Sequence, residues 1–146
     1  MPSIRRSALM PFSAQTMYEI VSDVARYPDY LPWCGGCRIL SQSDTSMKAA
    51  ILMKKGRVNH WFSTQNVLVV NRRIEMTLID GPFKSLDGVW QFIELDQKVS
   101  KIMLDLSFQF PSGLVSTLVA PVFTQIANTM VDSFCARAYE VYPDEC

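Results

Sequence analysis

Lys101-Ile102-Met103-Leu104-Asp105-Leu106-Ser107-Phe108-Gln109-Phe110-Pro111-Ser112-Gly113 is the stretch from which the fold can be read. Ile102, Leu104, Leu106, Phe108 and Phe110 fall on one face, and Lys101, Asp105, Ser107 and Gln109 on the other. That period of two belongs to a half-buried strand. Pro111 ends the run, and from Ser112 the period changes. Val119, Val122, Phe123, Ile126, Met130, Phe134 and Ala138 form one broad apolar stripe, with Gln125, Asn128, Asp132 and Arg137 off it. Ser112 therefore reads as the cap of a helix over about 113–141. An interior proline costs about 3 kcal/mol or more, so Pro121 predicts a kink or break between a short leading helix and a long terminal one.

Toward the N-terminus the two-residue period holds back to Cys37. Turn signals punctuate it at Asp44-Thr45-Ser46, Lys55-Gly56, Asn71-Arg72, Asp80-Gly81-Pro82 and Asp96-Gln97-Lys98. Leu86, Trp90 and Phe92 share a face with Gly88, which leaves a gap among large side chains. No alternation of strand and helix appears, so the sheet is an antiparallel meander of about six strands, or seven with the extended opening Ser3–Leu9. Ser13 suits an N-cap, with Met17, Ile20, Val21 and Val24 at helical spacing after it. Asp23–Tyr30 reads as a second short helix, stopped by Pro28 and Pro32. The whole chain, 1–146, is then one α+β domain: a curved antiparallel sheet, two short helices after the first strand, and a long C-terminal helix. A helix is only about 10 to 12 Å across, and a twisted sheet curls. A packed core and an interior cavity lined by Trp90, Phe92, Leu106, Phe108, Ile126 and Met130 both fit this pattern.

Composition narrows the function. Hydrophobic residues make up 49% and charged residues 19%, below the usual charged share of about 25%, which excludes a disordered chain. Fourteen Lys and Arg balance fourteen Asp and Glu, which argues against a dedicated nucleic-acid binder and against a DNA partner. Arg5 and Arg6 are not followed by an apolar stretch fit for a signal peptide. The longest apolar window, Leu114 to Phe123, is about half the roughly 20 residues that a membrane span needs. The expected location is the cytoplasm, with peripheral contact at the inner membrane open through 113–123, either as packing over a cavity mouth or as a hinged lid.

Catalytic signals are weak. Cys34-Gly35-Gly36-Cys37 is a CxxC, but it follows Pro32-Trp33 and leads into a strand rather than opening a helix, so structural thiols are favoured over a redox pair. Zinc would need two further ligands from His60, Cys135 and Cys146, each isolated. His60 has no Ser or Cys partner at a characteristic spacing, and Asp105 and Asp132 fall on polar faces. No enzyme is expected, and no cofactor or metal is required. The methionines, among them Met53, Met76, Met103 and Met130, suit an adaptable apolar lining. Lys54-Lys55-Gly56-Arg57 and Arg72-Arg73 sit on successive turns, hence at opposite ends of the sheet, and form no single patch.

Three motifs carry a resemblance. Asp23-Val24-Ala25-Arg26-Tyr27-Pro28-Asp29-Tyr30-Leu31-Pro32-Trp33-Cys34, Gly81-Pro82-Phe83-Lys84 with Leu86, Gly88, Trp90 and Phe92, and Arg137-Ala138 with Glu140-Val141-Tyr142 resemble segments of one family. It joins bacterial ribosome association toxins with mitochondrial coenzyme Q-binding proteins, within the START-like polyketide cyclase/dehydrase superfamily. The likeness spans about residues 2 to 142. It implies a helix-grip fold with a hydrophobic tunnel, and ubiquinone or a similar isoprenoid as bound ligand. The implied function is that of a respiratory quinone carrier or chaperone; the alternative is a toxin that binds the large ribosomal subunit and blocks subunit joining. Matched residue by residue, Tyr27, Pro28, Leu31, Pro32 and Cys34 would shape one end of the cavity, Gly81-Pro82-Phe83 its mouth, and Gly88, Trp90 and Phe92 its wall. Together with the residues placed by the apolar pattern, the expected ligand-binding set is Tyr27, Leu31, Trp33, Phe83, Trp90, Phe92, Leu106, Phe108, Leu118, Val122, Ile126 and Met130. Trp33 and Cys37 depart from the family pattern, and Trp33 at a rim would narrow the entrance.

Overall fold

The computed structural model describes residues 3–142, with backbone alone over 114–116. Seven antiparallel strands follow one another as a meander: β1 (Ser3–Met10), β2 (Cys34–Gln42), β3 (Ser46–Lys55), β4 (Val58–Val69), β5 (Arg73–Asp80), β6 (Ser85–Asp96) and β7 (Val99–Gln109). Their order in the sheet is β1-β7-β6-β5-β4-β3-β2. The first strand thus pairs with the last, and the sheet ends at β1 and β2. Helix α1 (Ala14–Ser22), a 3-10 turn (Val24–Arg26) and the one-turn helix α2 (Tyr27–Tyr30) connect these two edges. The long helix α3 (Leu114–Val141) lies across the concave face.

Local chemistry fixes these elements. Ser13 caps α1, its hydroxyl accepting a hydrogen bond from the Thr16 amide at 3.1 Å, which satisfies one of the orphan N–H groups of the first turn. Met17, Ile20 and Val21 then bury the inner side of α1. The register of β6 on β7 sets Leu86 opposite Phe108, Gly88 opposite Leu106, Trp90 opposite Leu104 and Phe92 opposite Ile102. One continuous apolar surface results, and α3 covers it with Val119, Phe123, Ile126, Val131, Phe134 and Ala138, all buried.

Two expectations for α3 are corrected. Ser112 does not cap it: Gly113 occupies the N-cap with φ 137° and no side-chain cap. The Gly113 carbonyl instead accepts from both the backbone N–H and the hydroxyl of Thr117, at 3.2 and 3.1 Å. Nor does Pro121 divide α3, which runs through it as one helix. The proline removes an N–H that would have bonded the Thr117 carbonyl, and both residues are exposed, so water can serve that carbonyl at little cost.

Candidate functional site

Below α3 lies an apolar cavity of about 60 Å³. The sheet contributes Ile51 and Met53 from β3, Phe62, Thr64 and Asn66 from β4, Met76 from β5, Leu86 and Trp90 from β6, and Leu104 and Leu106 from β7. Phe123, Ile126 and Met130 of α3 form its roof, and Val24, Tyr27 and Trp33 close the end beneath the connecting helices. A larger cleft of about 760 Å³ opens between the start of α1 and the β4–β5 and β6–β7 turns, with Arg72, Arg73, Gln91 and Glu94 in its wall. It is a solvent-filled surface groove, whereas the buried side chains converge on the smaller space.

Six of the twelve ligand residues anticipated from the sequence line the cavity: Tyr27, Trp33, Trp90, Leu106, Ile126 and Met130. The other six lie elsewhere. Leu31 is fully buried beside it. Phe83 and Phe108 pack edge-on against Phe123 at 4.7 and 5.0 Å, in an aromatic cluster beyond one end. Phe92 sits under α1, edge-on to Tyr18 at 5.7 Å. Val122 is half-buried, and Leu118 is 51% exposed on the outer side of α3. Alternation tells which face a residue occupies but not how far along the cavity it lies, so Phe92 and Phe108 were drawn in with their neighbours.

Thr64 and Asn66 went unnoticed in the sequence. Both are buried on the inner face of β4, where apolar residues were expected, and the Thr64 hydroxyl donates to Asn66 Oδ1 at 2.9 Å. A signal was available: two polar residues on the inward parity of an otherwise apolar strand. The indole Nε1 of Trp33 is buried with no hydrogen-bond partner. Trp33, 5% exposed, lines both this cavity and the groove beside Pro32, Lys54 and Gln125, and so stands between the two. An unpaired buried donor costs about 1 to 3 kcal/mol, and a ligand bearing an acceptor oxygen would recover part of that.

Tyr27 is the sole ionisable side chain in the lining. Burial pushes its phenol well above the usual tyrosine value, and Tyr30, Cys34 and Asp23 push it further. Its hydroxyl donates to the Val21 carbonyl. It therefore remains a neutral phenol and is unsuited to act as a base. Burial also raises the thiols of Cys34, Cys37 and Cys135, the last to about 11; all three are free and protonated at neutral pH. Cys146 lies outside the described residues. Among the described residues no three His, Cys, Asp or Glu side chains gather to hold a metal, and His60 stands on β4 opposite Met53. No described helix is long and apolar enough to cross a membrane.

The family model for polyketide cyclase / dehydrase and lipid transport proteins matches residues 10–135. The chain belongs to this family. Within it, the ribosome association toxin RatA of Pseudomonas aeruginosa is 48% identical over 95% of this chain and 96% of its own length. The protein of the same name from Escherichia coli is 44% identical, over 97% and 90%. A mitochondrial coenzyme Q-binding protein homologue of Xenopus laevis is 29% identical over 93% of this chain and 57% of its own. The START-like fold is shared with an aromatase/cyclase from Streptomyces sp. R1128, with TM-score 0.82, 14% identity, and 94% and 93% of the two chains covered. Norcoclaurine synthase from Thalictrum flavum has it too, with TM-score 0.68, 16% identity, and 95% and 87% covered. Proteins of this fold thus include some named as enzymes and some named for binding, and fold alone does not choose between them.

Proposed function

We propose that this chain is a ribosome-associating protein of the RatA kind, which works in the cytoplasm by a non-catalytic contact with the large ribosomal subunit that hinders subunit joining. The supporting observation is 48% identity to a ribosome association toxin over 95% of the chain. A cavity whose one ionisable group is a neutral phenol fits a role without catalysis. In sucrose gradients with purified ribosomal subunits, the protein should migrate with the large subunit and reduce the yield of joined particles. Protein that stays at the top of the gradient at low salt would refute the proposal.

A second reading, that the cavity takes a hydrophobic ligand such as ubiquinone, draws on the unpaired Trp33 Nε1 beside an apolar lining. Pockets for drug-sized ligands run to about 300–1,000 Å³, so a quinone ring would enter the space of about 60 Å³ only by displacing Met53, Met76 and Met130, the most adaptable side chains there. Gly88 sharpens the test. A methyl group on it would meet Leu106 Cδ1 at 2.7 Å and Met76 Cε at 2.8 Å, pushing both ends into the cavity. Overpacking costs about 1 to 3 kcal/mol, and about 1.4 kcal/mol of it carried into binding is a tenfold loss of affinity. Gly88→Ala should stay folded and extract at least about tenfold less quinone from loaded liposomes than the parent protein. Equal extraction by both, or extraction by neither, removes the ligand from this cavity.

A further inference from the structure

Three cations of β2 and β3, Arg38, Lys48 and Lys54, gather in one stripe on the outer face of the sheet, away from the cavity. Residues 34–69 hold five Lys and Arg against the single Asp44, a net +4, while the rest of the chain holds nine against thirteen. A chain of zero total charge is therefore strongly polarised. Strand register does the gathering. Lys48, Ala50, Leu52 and Lys54 share the outer parity of β3; Arg38 pairs with Ala50, Gly36 with Leu52, and Trp61 with Leu52 from the other side. At about 3.3 Å per residue, Lys48 to Lys54 spans roughly 20 Å; Arg57 follows in the β3–β4 turn, while Lys55 has the inner parity, opposite Val58, and lines a groove with Gln125 and Thr129 of α3. All five cations are exposed. The ion pairs among the described residues are made by Arg5, Arg26, Arg73 and Arg137, so none of the five is neutralised in that way. Beyond β4 the outer face carries both signs in balance, Glu75, Asp87 and Asp105 against Arg73, Lys101 and Arg5.

In the middle of the stripe lies Trp61, 40% exposed. Its ring edge reaches over Gly36, where a Cβ would stand 3.4 Å from the indole, and the Arg38 guanidinium sits 4.8 Å from the ring centroid. Gly36 thus lets the indole lie along the sheet, and Arg38 stacks a planar cation on it. Lysines along a strand with a stacked Arg–Trp pair between them form the two halves of a single-strand nucleic-acid site: cations for successive phosphates and a flat surface for an unstacked base.

We infer that the outer face of β2–β4 binds a single-stranded segment of RNA, through Lys48, Lys54 and Arg57 on phosphates and Arg38–Trp61 on a base. This rests on the ribosome-associating role and names the surface that would serve it. A duplex hides the faces of its bases, so the Arg–Trp platform favours a single strand over a double one. The cleft holding Arg72 and Arg73 is the weaker competitor, because Arg73 is paired with Glu75 at 3.0 Å and Glu94 lines the same wall.

The test uses fluorescence anisotropy with a labelled, unstructured uridine-rich RNA, alongside sedimentation with large ribosomal subunits. Lys48→Glu with Lys54→Glu should weaken RNA binding at least about tenfold at roughly 50 mM salt and flatten the salt slope by about 1.4, at about 0.7 per phosphate contact. Trp61→Ala should cost about tenfold with little change of slope. Arg72→Glu with Lys98→Glu, in the turns at the end of the sheet far from Lys54 and off the β2–β4 face, should change affinity less than about twofold. Circular dichroism confirms folding of each variant. The inference is overturned if the parent protein does not bind the RNA, if it binds a duplex equally well, or if the Arg72/Lys98 variant loses as much as the Lys48/Lys54 variant. Subunit sedimentation unaffected by Lys48→Glu with Lys54→Glu sinks the inference and spares the ribosome reading. RNA binding through the stripe without subunit sedimentation does the reverse.

Discussion

Phe134→Ala should lower the unfolding free energy by about 3 to 5 kcal/mol, the range for removing a fully buried aromatic side chain. Phe134 has no exposed surface and lies where three parts of the fold meet. Its ring is 5.3 Å from Tyr27 in α2, 6.1 Å from Tyr30 and 5.3 Å from Trp90 in β6. Each is an edge-on or tilted contact, worth about 0.5 to 1.5 kcal/mol beyond the area buried. Truncation leaves these rings facing a void they cannot close, because β6 is held in register on both sides by β5 and β7. Urea titration should show the midpoint falling at nearly constant m-value. Tyr27 and Trp90 also line the cavity, so the void should join it and admit a benzene-sized probe that the parent protein excludes. A loss below about 1 kcal/mol would mean that α3 is not seated on the sheet as described.

Gly81→Ala should be the next most damaging, at roughly 2 to 4 kcal/mol. Two costs combine. Gly81 has φ 151°, a conformation that L side chains rarely adopt, and such strain costs about 1 to 3 kcal/mol. A Cβ there would also stand 2.7 Å from Phe62 Cβ and 3.3 Å from its Cα. Phe62 has little freedom to withdraw, being edge-on to Phe83 and Phe123 at 5.8 and 6.4 Å. Gly56→Ala separates the two effects. Its φ is 60° and nothing lies within 4 Å of its Cβ position, so it should cost only the backbone part, about 1 kcal/mol. Equal losses for the two variants in thermal or urea unfolding would show that the Phe62 contact carries no weight.

Those two glycines show how far a sequence can be read. Asp80-Gly81-Pro82 and Lys55-Gly56 are legible as turns because Gly and Pro restrict local backbone choices whatever surrounds them. That only Gly81 faces a phenylalanine depends on β4 passing beside it, a neighbour nineteen residues away in the chain. Gly88 was readable as a gap on an apolar face. The structure fills that gap with the ends of Leu106 and Met76, so it shapes the cavity rather than enlarging it. The cap at Ser112 and a break at Pro121 are expectations from local residues alone, and the packing of α3 on the sheet outweighs both.

By itself, the sequence determined the parts: strands wherever the apolar period is two, helices wherever it is 3.6, their order, and the family the three motifs point to. These follow from side-chain direction along a single element, which adjacent residues dictate. Only the tertiary structure decided which inward residues meet around the cavity, why Phe92 and Phe108 pass beyond its ends, and that its volume is about 60 Å³. It also brought Arg38, Lys48, Lys54 and Trp61, spread over 24 positions, onto one stripe. Each of these outcomes depends on the register between strands, and register is set by the pairing of many distant residues at once rather than by the local pattern of any one of them.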